Sequence, residues 1–269
     1  MAINKYLMES EDEAFRLKLK TDVAIVEQQA KWAGVKPGMR VADIGCGPGI
    51  TTSILHALSQ PHGETVGLDL AVPRIKYARE HYNHKGIKYV VGDVRNPLDN
   101  LGLFDLVWVR FVLEYYLLDS FEIVKNLLKI IKPGGILCLI DLDHNCLSHY
   151  GIPQRVEKTL ENIMIDLQKK ANFDPYIGRK LYSFLYDLNF EDIHVDISAH
   201  HNIYGVLNEN DEYNFLKKVE IAPRKINFKF NDYTGGYKEF IKEVEESFKN
   251  PRRFTYTPII LCKGIKPIN

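Results

Sequence analysis

Apolar positions along the chain fall into short runs and helical stripes that alternate. "RVADIG", "ETVGLDL", "IKYVVGD", "FDLVWVR" and "ILCLIDLD" are brief, rich in β-branched and aromatic residues, and read as strands. Between them, "GITTSILHALSQ", "PRIKYAREHYN" (opening on Pro73) and "SFEIVKNLLKIIKPGG" read as helices. The last of these puts Phe121, Val124, Leu128 and Ile131 on one face and stops at Pro133. A repeated strand–helix order predicts a parallel sheet covered by helices on both faces. Three further stripes fall outside that rhythm. Phe15, Leu19, Val23, Val26 and Ala30 align within residues 10–35, and Ile152, Val156, Leu160, Ile163 and Leu167 within 152–170. Tyr237, Phe240, Ile241, Val244 and Phe248 align in a third. No repeat or low-complexity linker separates these segments, so one domain with helical additions is expected.

Composition narrows the function more than the fold. The 35 basic and 35 acidic side chains cancel, leaving no bulk field to hold a nucleic acid or a membrane surface. The longest apolar stretch is interrupted by Arg110 and Glu114, which argues against a transmembrane helix. The first fifteen residues lack the apolar run of a signal peptide, and the four cysteines are scattered without paired spacing. Neither a disulfide framework nor a metal site is indicated, and a cytoplasmic location is expected. The sequence is silent on oligomeric state.

The densest chemistry lies in "VADIGCGPGITT", where Asp43 precedes Gly45, Gly47 and Gly49 at alternate positions. A glycine turn between a first parallel strand and its helix lets the backbone approach a ligand and frees helix N–H groups to bond it. A phosphate-binding loop needs a Gly-Lys-Ser/Thr ending, and this one has no lysine. A dinucleotide fingerprint needs glycine where Ile50 stands. An acid ahead of the glycines suits a ligand with a cationic amino group and repels a diphosphate.

With "GLDL", "VVGDV", "FDLVWVRFVLEYY" and "LLKIIKPGGILCLID" following in order, "VADIGCGPG" resembles the first motif of class I S-adenosylmethionine-dependent methyltransferases of the small-molecule type. The resemblance covers residues 36–143 and resumes near 190–201 and 254–265. It implies an α/β, doubly wound, mostly parallel seven-stranded Rossmann-like sheet with an antiparallel last strand and helical lid additions. The implied division is an N-terminal helical lid (1–35), a cofactor-binding core (36–143), helical insertions (144–174 and 202–253) and closing elements (175–201 and 254–269). For the cofactor, S-adenosyl-L-methionine, it implies contacts from Asp43, Gly45, Cys46, Gly47, Gly49 and Thr51 in the first motif. Asp69 would take both ribose hydroxyls, with Leu70 and Arg74 beside it, and Asp93 and Val94 would meet the adenine edge. Arg110 and Phe111 would complete the site, and Tyr6 and Arg16 would reach the methionine carboxylate.

A sulfonium methyl is already activated, so the enzyme chiefly aligns a nucleophile and excludes water. A base is needed only for a protonated nucleophile. His144 is the leading base candidate, with Asp143 or Asp141 to orient it; His200 and His201 are weaker candidates. Phe111, Tyr115 and Tyr116 could face the sulfonium. Where many small-molecule members read Leu-Glu-His, this chain reads Leu113-Glu114-Tyr115, so Tyr115 is a catalytic candidate without the histidine's chemistry. No Asn/Asp-Pro-Pro-Tyr/Phe follows strand four, which weighs against base or amide methylation. Lid residues Ile152, Met164, Phe173, Tyr213 and Phe215 suggest an enclosed, partly apolar small-molecule substrate. Two other functions stay open: an RNA or protein methyltransferase, and a cofactor-binding regulator without turnover.

Overall fold

The computed structural model describes residues 21–207 and 209–268. Asp22 opens helix α1 (Val23–Ala33), its Oδ1 accepting from the N–H groups of Ala24 (2.9 Å) and Ile25 (3.2 Å), and Gly34 closes it at φ 102°. Of the helix expected across 10–35, the described part starts at Val23 after the extended Asp22, while Phe15 and Leu19 lie outside the described residues; Val23 is exposed because the buried face is Val26, Gln29, Ala30 and Ala33.

The strand–helix rhythm follows as expected: β1 (Arg40–Ile44), α2 (Ile50–Ser59), β2 (Glu64–Asp69), α3 (Val72–His81), β3 (Ile87–Val91), β4 (Phe104–Arg110), α4 (Ser120–Leu127) and β5 (Ile131–Leu142). After β5 come β6 (Ser148–Tyr150), α5 (Gln154–Ala171), α6 (Leu181–Asp187), β7 (Glu191–Tyr204), α7 (Glu209–Lys225), α8 (Tyr237–Phe248) and β8 (Phe254–Ile265). These eight strands form one sheet in the order β3-β2-β1-β4-β5-β8-β6, with β7 also on β8. Strands β1 to β5 pair in parallel, and β8 runs antiparallel to β5, β6 and β7.

Strand alternation divides the core between the two sheet faces. Val41, Leu106, Trp108 and Cys138 pack with α1 and α2, while Ala42, Val107, Val109 and Leu137 pack with α4 and α6. Two sequence expectations shift. Helix α4 ends at Leu127 and passes through a 3-10 turn, so Ile131 starts β5, and the buried positions are Ile123, Val124, Leu127 and Ile130. The short β6 adds an eighth strand inside a segment expected to be helical.

The insertions α5, α7 and α8 share a separate apolar cluster containing Leu160, Ile163, Met164, Phe215, Val219, Phe240 and Val244. Asn172, at φ 54° after α5, ties this lid to the core: its Oδ1 accepts from Leu118 N–H and its carbonyl from Leu117 N–H, both at 2.9 Å.

Candidate functional site

The turn after β1 is shaped by close approach. Gly49 caps α2 at φ 92°, and a Cβ there would lie 2.8 Å from both Ala78 Cβ and Tyr89 Oη. Gly45, at φ 73°, faces the Val112 side chain with no room for a Cβ. The Gly45 and Cys46 N–H groups both donate to Leu68 O, at 2.7 and 3.0 Å, which locks the turn against the end of β2.

That locking brings Asp69 under the glycines. Asp69 Oδ2 accepts from Gly47 N–H at 2.9 Å, and Oδ1 accepts from Ala71 N–H at 2.8 Å. Arg74 Nε and Nη2 also reach Oδ1, at 3.1 and 3.0 Å. A cleft opens above these groups at the carboxyl ends of the strands, where open α/β sheets take their ligands. Its walls include Gly45, Cys46, Gly47, Thr51, Asp69 and Leu70. Arg74, Val94, Arg110, Phe111, Tyr115 and Tyr116 continue them, and Ala171 reaches in from the lid helix α5.

Asp43 is not on the cleft wall. It is buried beneath the turn, accepting from Thr52 Oγ1 at 2.6 Å, and burial, reinforced by the charge of Asp69, pushes its carboxyl up to about 7. Arg110 opposes that rise; desolvation pulls its own guanidinium down to about 10, so it stays cationic at neutral pH. Arg110 donates from Nε to Gln29 Oε1 at 3.0 Å and lies 4.1 Å above the Phe111 ring. Burial raises the Cys46 thiol well above its ordinary range, so that residue offers backbone and bulk, not a thiolate.

Several expected residues are arranged differently. Asp93 is not among the cleft-lining residues, and its carboxylate is clamped by Arg95 at 2.6–3.1 Å, which lowers its pKa. Asp143 is paired with Arg179, through Nε to Oδ1 (2.9 Å) and Nη2 to Oδ2 (2.8 Å). His144 lies off the cleft wall, its ring edge-on to Tyr176 at 5.1 Å. Asp141 is buried and spends its oxygens on the N–H groups of Leu113, Glu114 and Leu142. Burial, with the Glu114 charge beside it, raises its carboxyl. The His200 ring packs 4.8 Å from Phe111. Tyr6 and Arg16 lie outside the described residues, as does the His201 side chain. Met164, Phe173 and Phe215 pack inside the lid rather than along the cleft, and Ile152 packs against them. Tyr213, half-buried on α7, is also off the cleft wall.

Glu114 is the ionisable cleft residue that sequence reasoning missed. It is 2% exposed, and its Oε2 accepts from Asn145 Nδ2 at 2.9 Å. Asn145 Oδ1 in turn lies 3.4 Å from Lys218 Nζ of α7, linking the carboxylate to the lid. A lone acid inside the apolar run "FVLEYYLL" was the available signal. No group of three or more His, Cys, Asp or Glu suited to a metal occurs among the described residues, and none of their helices is long and apolar enough to cross a membrane.

Residues 42–139 match the protein family described as "Methyltransferase domain". Over 118 residues the chain is 33% identical to the ubiquinone biosynthesis O-methyltransferase of Bordetella avium, covering 42% of this chain and 46% of that one. The chain spans about half the length of the curated relatives it matches. Among solved structures, a cyclopropane-fatty-acyl-phospholipid synthase-like protein from Lactobacillus casei superposes with TM-score 0.60 at 12% identity, over 97% of this chain and 98% of that one. A phosphoethanolamine N-methyltransferase from Haemonchus contortus, in complex with S-adenosylhomocysteine, superposes with TM-score 0.54 at 16% identity, over 91% of this chain and 52% of that one. Both structural likenesses are likenesses of fold.

Proposed function

We propose that this chain, whose residues 42–139 match a methyltransferase domain family and whose fold superposes on that of a phosphoethanolamine N-methyltransferase from Haemonchus contortus, transfers a methyl group from S-adenosyl-L-methionine to a small molecule. The observation that carries this reading is the joining of the glycine turn to the β2 acid by Gly47 N–H and Asp69 Oδ2. It sets an open backbone surface and a carboxylate on one cleft, the chemistry a nucleoside with an amino-acid tail requires. When bound, the donor supplies the activated methyl. The chain's own tasks are then binding, alignment and proton handling.

For binding, Asp69 faces the ribose, Val94 supplies an apolar wall for the base, and cationic Arg110 suits the carboxylate of the donor's tail. For alignment, Phe111, Tyr115 and Tyr116 offer aromatic faces that attract a sulfonium and exclude water. For proton handling we assign Glu114 in place of His144, because Glu114 lines the cleft and is held by Asn145. These aromatic walls, the zero net charge and a relative named as an O-methyltransferase of ubiquinone biosynthesis together favour an acceptor with an aromatic or apolar body over RNA.

The decisive experiment incubates the protein with methyl-labelled S-adenosylmethionine and fractionated cell extract, then identifies the labelled product. A labelled small molecule is expected. Label confined to RNA or protein overturns the acceptor class, and cofactor binding without transfer to any fraction overturns turnover.

A further inference from the structure

We propose that Arg74 is a clasp on Asp69 that must be exchanged for the ribose hydroxyls when the donor binds, so that it limits donor affinity. The inference rests on the donor reading above and concerns how the chain controls that same site. A carboxylate offers about four lone-pair positions, two on each oxygen. Oδ1 of Asp69 already receives two donors, Ala71 N–H and Arg74 Nε, with Arg74 Nη2 in ion-pair contact at 3.0 Å, and Oδ2 receives Gly47 N–H. One position, on Oδ2, is left. A vicinal diol needs one position on each oxygen to bind in the two-pronged manner expected of this acid.

The donors on Asp69 differ in what it takes to move them. Gly47 N–H belongs to the turn locked on Leu68, and Ala71 N–H to the first residue before α3. Displacing either would remake the backbone of the site. The Arg74 side chain hangs on rotatable bonds and lines the cleft itself, so it alone can yield Oδ1 by a rotamer change. Yielding separates an ion pair in which Arg74 is 9% and Asp69 7% exposed, and that separation opposes binding. A diol thus enters only by replacing a charge-assisted hydrogen bond and its accompanying ion-pair contact with its own hydrogen bonds.

Replacing Arg74 with methionine keeps an unbranched, helix-compatible side chain and removes the clasp. Titration calorimetry with S-adenosylhomocysteine should show Arg74→Met binding about 5- to 10-fold more tightly than wild type, and Arg74→Lys falling between them. The diol dependence is read with adenosine and 2′,3′-dideoxyadenosine: the gain should appear with the first and vanish with the second. Equal or weaker binding by a folded Arg74→Met protein overturns the clasp, as does an equal gain for the dideoxy analogue. Failure of wild type to bind S-adenosylhomocysteine at all instead overturns the donor reading and removes the clasp with it. Circular dichroism and thermal melting of each variant separate these outcomes from misfolding.

Discussion

Replacing Asp43 with asparagine should flatten the pH dependence of stability. Asp43 is buried beneath the glycine turn and its carboxyl rises from 3.8 to about 7. In the unfolded chain it ionises near its ordinary value; in the fold it stays neutral until near neutrality. Its contribution to stability is therefore complete below pH 4 and is lost as pH rises toward 7 and beyond. At 1.36 kcal/mol per unit, the loss is on the order of 4 kcal/mol. An asparagine in its place cannot ionise, and the amide oxygen can still accept from Thr52, so any penalty for the buried NH2 shifts the curve without tilting it. Asp141, also raised, is present in both proteins and cancels in the difference. Urea unfolding at one-unit steps from pH 4 to 8 gives the comparison. Wild type should lose stability relative to Asp43→Asn across that window; parallel curves would refute the burial argument.

Other positions give further predictions. Thr52→Val removes the hydroxyl that donates to Asp43, so the pH at which the decline in stability levels off should move upward by the same unfolding assay, with about 1–3 kcal/mol lost overall at neutral pH. Gly49→Ala places a Cβ against Ala78 at a positive φ and should destabilise the fold by about 1–3 kcal/mol, read as a lower melting temperature, while S-adenosylhomocysteine binding falls in calorimetry. Phe240→Ala, truncating a fully buried lid residue, should destabilise the lid by about 3–5 kcal/mol. Hydrogen exchange should then accelerate in α5, α7 and α8 and remain near wild type in β1, β2 and β4.

The parts of this protein that local periodicity encodes were legible before any coordinates. Strands β1 to β5 and the glycine turn follow from runs and spacing within a dozen residues, and Gly49 is glycine for a reason that a turn alone predicts. The proton-handling residues were not legible, because their state depends on distant partners. Asp143 reads as a companion for His144, and only the fold brings Arg179, thirty-six residues on, to both its oxygens. Asp69 read as a ribose acid, but its ion pair with Arg74 emerges only when α3 folds back on β2. Helix α7 falls inside the expected helical insertion 202–253 but carries no assigned stripe there, because its first turn is acidic and Pro223 lies within it, although Phe215, Val219 and Ala222 keep helical spacing. Glu114 was visible as an anomaly in an apolar run, and only burial beside Asn145 gives it a meaning.

Strand β8 pairs with β5 through Ile259–Ile265, with β6 through Phe254–Tyr256 and with β7 along its length. Its place in the sequence also makes it the last described strand to emerge from a ribosome. Until it does, the growing chain carries β5 and β7 with open hydrogen-bonding edges, and the lid helices have no strand to fasten them to the completed nucleotide half. Such edges are templates for mispairing with other chains. Chains truncated before residue 254 should therefore engage chaperones more strongly than the chain through residue 269.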